Sequence, residues 1–179
     1  MSSTSSPLPT KIGLILFPGF QLLDATGPLD AFSLLSNTHT LHLSILAASL
    51  DPVPTRTWVH EDQGSNFNSS IVPTHTFANA PDDLEMVLLP GGMGTRGPKG
   101  EENTGPVVEF LKKLDLSGNG SIKWVLTVCT GSEVLARTGL LDGRRATTNK
   151  RAFNDVSPSL FFASDIVLIG NRSKLNILP

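Results

Sequence analysis

The chain has 179 residues, 39% hydrophobic and 17% charged, with a formal net charge of -2. That balance suits one globular domain with its own core. Without a run of basic residues it argues against nucleic-acid binding and electrostatic membrane attachment. Cys129 is the only cysteine, which excludes an internal disulfide framework and a cysteine-rich metal site. The apolar runs are all far shorter than a membrane span. The Ser/Thr/Pro-rich opening lacks the basic-then-apolar pattern of a signal peptide. A soluble cytoplasmic protein is expected, with residues 1–10 a disordered lead and residues 11–179 a single domain.

In chain order, KIGLILF (11–17) is a short apolar run ended by Pro18-Gly19 and reads as a buried strand. A helix follows, beginning at Gly27-Pro28, with Leu29, Phe32 and Leu35 at helical spacing. HTLHLSILAAS (39–49) is a second strand. The polar stretch after it is broken by Pro and Gly, and predicts short strands or a hairpin near Trp58 and Ile71-Val72. DLEMVLLPGGMG (83–94) is a strand that breaks into a glycine-rich turn. Residues 105–118 predict a helix with Pro106 in its first turn and a stripe of Val107, Phe110, Leu111 and Leu114. SIKWVLTV (121–128) is a strand, 131–143 a helix, Ala146-Thr147-Thr148 a short strand, and SDIVLIG in the tail a last strand-like run. Alternating strands and helices, with strands apolar on both faces, argue for an α/β fold: a parallel-sheet, three-layer α/β/α sandwich.

Function in such sheets gathers at the carboxyl ends of the strands. Cys129 ends a predicted strand just before a helix, where a sharp turn exposes a nucleophile and helix amides favour its thiolate. Position alone balances that reading against an inert buried cysteine. Gly91 and Gly92 follow another strand, where backbone amides can face a substrate oxygen or simply make a turn. Asp24 follows the first strand and can exchange a proton with Cys129 or water, or serve as a helix-terminal acid. Asp30 falls inside the helix and reads as solvated. Of His39, His42, His60 and His75, only His60 and His75 lie where an active site is within reach, and the surface reading is favoured for both. No metal-binding pattern is present.

Taken together, ILFPGFQLLDATGP, DLEMVLLPGGMG and WVLTVCTGSEVLARTGLLDGRRATTNK resemble the ThiJ/PfpI family, whose flavodoxin-like fold is that of class I glutamine amidotransferases. The pairing of QLLDATGP with VCTGS is most similar to its isonitrile (isocyanide) hydratase branch. The resemblance implies water addition to an isonitrile, giving an N-substituted formamide, with a small-molecule substrate, no metal or organic cofactor, and a homodimer. By motif match it implies Cys129 as nucleophile, Asp24 as the proton-handling carboxyl, Thr130 as a binding group beside the nucleophile, and Gly91 and Gly92 as donors of backbone amides. Peptidase-like and glyoxalase-like members usually carry Glu at the early carboxylate, and peptidase-like members often place His directly after the nucleophile; this chain has Asp24 and Thr130. Many relatives have His after the ATT segment, where this chain has Asn149. A Cys–His dyad is therefore unsupported. Alternative readings are an inactive or regulatory remnant, a glyoxalase- or deglycase-like enzyme, and a redox-sensing thiol.

After about Asn154 the sequence departs from the family pattern, which continues with a helix, strands and a final long helix. The C-terminal elements are therefore expected to be missing. Even ~400 Å² of uncovered apolar surface would cost roughly 10 kcal/mol at ~25 cal/mol per Å², so marginal stability is expected.

Overall fold

The computed structural model describes residues 8–115, 120–142, 145–146, 148–149, 161–162 and 168–169. The central sheet is built from β1 (Lys11–Ile15), β2 (His42–Ala47), β5 (His75–Thr76), β6 (Met86–Leu89), β7 (Trp124–Thr127) and β10 (Leu168–Ile169). Their order is β10-β7-β6-β1-β2-β5. Every pairing is parallel except that of β10 with β7. All four residues of β6 are buried, as are the last four of β1. Successive side chains of a strand point to opposite faces, so both faces of the sheet are covered here. That is the layered α/β architecture expected from the sequence, with one antiparallel edge contributed by the SDIVLIG run.

Leu14, Ile15, Val87, Leu88 and Leu89 form the centre of the core, joined by Val107 and Leu111 of α3 (Gly100–Lys113) and Val134 and Leu135 of α4 (Gly131–Ala136). Phe110 adds a stacked contact with Phe77, ring centroids 4.8 Å apart. Leu88 has no exposed surface. Leu88→Ala is expected to cost about 2–5 kcal/mol, read as a lower midpoint in denaturant at an unchanged slope.

Several elements differ from expectation. The first helix, α1 (Leu22–Ser36), begins six residues before Pro28, which is inside it. In α3, too, the proline lies inside: Pro106 sits beyond the first turn, because the helix starts at Gly100. The α1 stripe is only partly used. Leu29 packs on the core and Phe32 is half-buried, but Leu35 is exposed, as are Leu23 and Leu34.

Trp58 lies in a short helix, α2 (Trp58–Asp62), where a strand was expected; the Thr57 N–H donates to His60 Nδ1 at 3.1 Å and closes a capping box. The hairpin there pairs β3 (Val53–Pro54) with β4 (Ser70–Ile71). Helix α4 ends at Ala136, where residues to 143 were expected to continue it; Gly139 takes a φ of 81° and its N–H bonds the Ala136 carbonyl, turning the chain out. A further pair joins β8 (Arg145–Ala146) to β9 (Phe161–Phe162) in parallel. Of the expected disordered lead, residues 1–7 lie outside the described residues. Thr10 is tied down, its N–H donating to the Glu85 carboxylate at 2.6 Å. The expected loss of C-terminal elements concerns a stretch that lies largely outside the described residues.

Candidate active site

Three neighbouring strands, β7, β6 and β1, deliver the candidate residues from their carboxyl ends. The chain leaving β7 passes Val128 and makes its turn at Cys129. That residue has a φ of 55°, the only positive value on a non-glycine among the described residues. A side chain in the left-handed region is strained by about 1–3 kcal/mol, and such strain gathers where a group must be aimed. The elbow is held by its own backbone: the Gly131 N–H donates to the Val128 carbonyl at 2.9 Å, and Ser132 Oγ donates to the Cys129 carbonyl at 3.0 Å. Gly131 is required because a Cβ there would stand 2.3 Å from the Leu89 carbonyl oxygen. The thiol is free and half-buried. Helix α4 has only six residues, so the amide field expected from a longer helix is small.

The loop after β6 packs against this elbow. A Cβ on Gly91 would lie 2.5 Å from the Thr130 backbone nitrogen and 3.0 Å from Cys129 Cβ. Fully buried Thr130 clasps the next residue: its Oγ1 accepts from the Gly92 N–H at 2.9 Å and lies 3.3 Å from the Gly92 carbonyl. The loop after β1 closes the third side. The Gln21 N–H donates to the Gly91 carbonyl at 2.7 Å, and the Gly91 N–H donates to Asp24 Oδ2 at 3.2 Å. Asp24 occupies the first turn of α1. Burial pushes its carboxyl above the ordinary aspartate value; hydrogen bonds from the Gly91 amide and the Cys129 thiol pull the other way without cancelling it.

The structure thus brings Asp24, Gly91, Gly92, Cys129 and Thr130 together. In this arrangement both glycine amides are spent within the protein, on Asp24 and Thr130, which differs from the donor role expected of them. One partner of the sulfur escaped the reading of the sequence: Asn149 Nδ2 donates to Cys129 Sγ at 3.1 Å. Its signal was the position after the ATT segment, noted only as lacking a histidine.

None of the four histidines joins this group. His60 caps α2, His75 lies on β5 beside Thr74, His39 bonds Thr38, and His42 stands on β2. Among the described residues no group of three or more His, Cys, Asp or Glu is placed to hold a metal, and no helix is long and apolar enough to cross a membrane.

A family model described as "DJ-1/PfpI family" matches residues 10–170. The chain belongs to the DJ-1/PfpI family. The match includes the tail strand β10. Isonitrile hydratase of Pseudomonas putida is 35% identical over 152 residues, 84% of this chain and 56% of that protein. Deglycase PfpI of Pyrococcus furiosus is 34% identical over a shorter 68 residues, 38% of this chain and 37% of that protein. A crystal structure of a ThiJ/PfpI family protein from Pseudomonas syringae aligns with a TM-score of 0.55 and 28% identity, covering 78% of this chain and 50% of the other. The chain thus spans about half the length of the isonitrile hydratase and of the Pseudomonas syringae protein.

Proposed function

We propose that the protein hydrates an isonitrile to an N-substituted formamide, with Cys129 as nucleophile. The observation that carries this reading is the strained elbow at Cys129, set in contact with a carboxyl group whose environment favours its neutral form. Similarity to isonitrile hydratase supports the substrate class. In the first step the thiol proton passes to the Asp24 carboxylate as sulfur attacks the terminal isonitrile carbon. Asp24 returns the proton to that carbon, leaving a thioimidate. Water then adds to the same carbon, the nitrogen is protonated, and the tetrahedral adduct expels the Cys129 thiolate. Net, one water is consumed and the thiol is regenerated. Thr130 holds the glycine turn against the elbow and offers its backbone amide beside the sulfur. A homodimer in the cytoplasm completes the reading.

The raised Asp24 value has a direct consequence. Its carboxylate, the form that accepts the thiol proton, appears only as pH climbs above the range of an ordinary aspartate. Hydration of an aryl isonitrile should therefore show an acid limb displaced upward from that range. Asp24→Asn should lose the limb, together with about 10²–10⁴-fold of kcat/KM. Linkage gives the sign for stability. A raised folded value means that the stabilising contribution is full below the unfolded value and is lost as pH rises through the folded one. Asp24→Asn should accordingly melt no lower than the parent at neutral pH, since Asn can still accept from the Gly91 N–H. An unaltered acid limb in this variant would remove Asp24 from the mechanism.

A further inference from the structure

Among the described residues, the Cys129 sulfur has two side-chain partners of different character. Asp24 can take up and return a proton. Asn149, 20 residues along the chain, points an amide nitrogen at Sγ from 3.1 Å. A carboxamide donates a hydrogen bond without titrating in the working pH range and cannot serve as a base. A donor of this kind favours the charged form of the group it touches. The strained φ of 55° fixes the direction of the sulfur, and the half-buried amide meets it there.

We infer that Asn149 is the positioning residue that holds the Cys129 thiolate, leaving Asp24 as the sole proton carrier at the sulfur. The division of labour is physical. Once the thiol proton has moved to Asp24, a half-buried sulfur anion needs a donor that does not compete for that proton. The Asn149 amide supplies it. A histidine in the same place would be both donor and base, and would add its own titration near neutral pH. Among the described residues, Asp24 on α1 and Glu133 in the first turn of α4 carry charge near the elbow. Both are acidic, so neither can replace the amide as a fixed donor to an anion. The inference concerns thiolate formation itself; only its consequence for turnover rests on the hydration reading.

The test is the rate of Cys129 alkylation by iodoacetamide across pH, on the full chain, beside a thermal melt of each variant. Asn149→Ala removes the donor and should move the midpoint of the alkylation profile upward by about one pH unit, lowering the rate near neutrality roughly tenfold. Asn149→Asp keeps the shape, puts an acceptor and a charge against the sulfur, and should move the midpoint further. Asn149→His should retain a fast reaction but add a second limb near neutral pH. A midpoint unmoved in both Asn149→Ala and Asn149→Asp would overturn the inference. The Asp variant, being isosteric, keeps the test decisive if the Ala variant melts early. Turnover of an aryl isonitrile separates the two readings. Shifted profiles without any formamide would remove the hydration reading and leave this one standing; formamide formation with unmoved profiles would do the reverse.

Discussion

Cys129→Ala is expected to abolish formamide production from an aryl isonitrile, by at least about 10³-fold in kcat, while leaving the melting temperature within a few degrees of the parent. The chemical reason is that both halves of the reaction pass through the sulfur, first as attacking atom and then as leaving group, and no other side chain on this elbow can do either. The structural reason for an intact fold is local. Alanine keeps the Cβ and accepts the same backbone path, and the half-buried thiol contributes little to the core. What the variant gives up are the hydrogen bonds that Asn149 and Asp24 make to sulfur. A companion variant isolates the strain. Cys129→Gly relieves a φ of 55° at the cost of chain entropy, and should melt at or slightly above the Ala variant while being equally inactive. Cys129→Ser should also fail, because the hydroxyl is a far poorer nucleophile at neutral pH than a thiol in contact with a carboxylate. Turnover surviving in Cys129→Ala, measured by chromatography of the formamide, would end the covalent mechanism.

Much of this arrangement was legible before any coordinates, and the residues that were not share a cause. The strands at 11–17 and 83–89 run into Pro-Gly and that at 121–128 into Cys-Thr-Gly, and all three carry apolar runs, so their positions and carboxyl ends follow from local pattern. Asp24, Gly91 and Cys129 inherit their places from those ends. The helix starts were misjudged in the same way twice. In both α1 and α3 a Gly-Pro pair occupies the sixth and seventh positions, where sequence rules put it at the start. An interior proline forfeits one backbone hydrogen bond. Docking of Ala25 ahead of Pro28, and of Gly100 and Thr104 ahead of Pro106, outweighs that loss. Near Trp58 the Pro- and Gly-broken stretch predicts a short strand or hairpin; the Thr57–His60 cap that makes it helical uses histidine where the usual box has Glu or Gln. Asn149 is a different case. Its bond to Cys129 spans 20 residues, and no periodicity encodes which way an amide turns after a short strand. The directions of the Gly91 and Gly92 amides are equally invisible to pattern, since they depend on where Asp24 and Thr130 stand in three dimensions.

Gly91→Ala should strongly impair function. The added Cβ would meet the Thr130 nitrogen at 2.5 Å, Thr130 Oγ1 at 2.7 Å and Cys129 Cβ at 3.0 Å. The closest of these is backbone inside a tight elbow, which cannot swing aside as a long side chain would. Overpacking of this kind costs about 1–3 kcal/mol, read as a lower melting temperature. The functional loss should exceed what that instability explains. Gly91 carries two of the bonds that fix the site: its carbonyl accepts from Gln21 and its N–H donates to Asp24. Moving the glycine loop away from Thr130 therefore moves Asp24 relative to the sulfur. A misplacement of ~1 Å is enough to lose about 10²-fold in rate. Gly64→Asn is the matched control. Gly64 also has a positive φ, 62°, but nothing stands within 4 Å of its would-be Cβ, and Asn tolerates the left-handed region. That variant should keep its turnover and its melt within about 0.5 kcal/mol. If Gly91→Ala instead behaved like Gly64→Asn, the close approach of the glycine turn to the Cys129 elbow would have to be abandoned, and with it the coupling of Asp24 to the nucleophile.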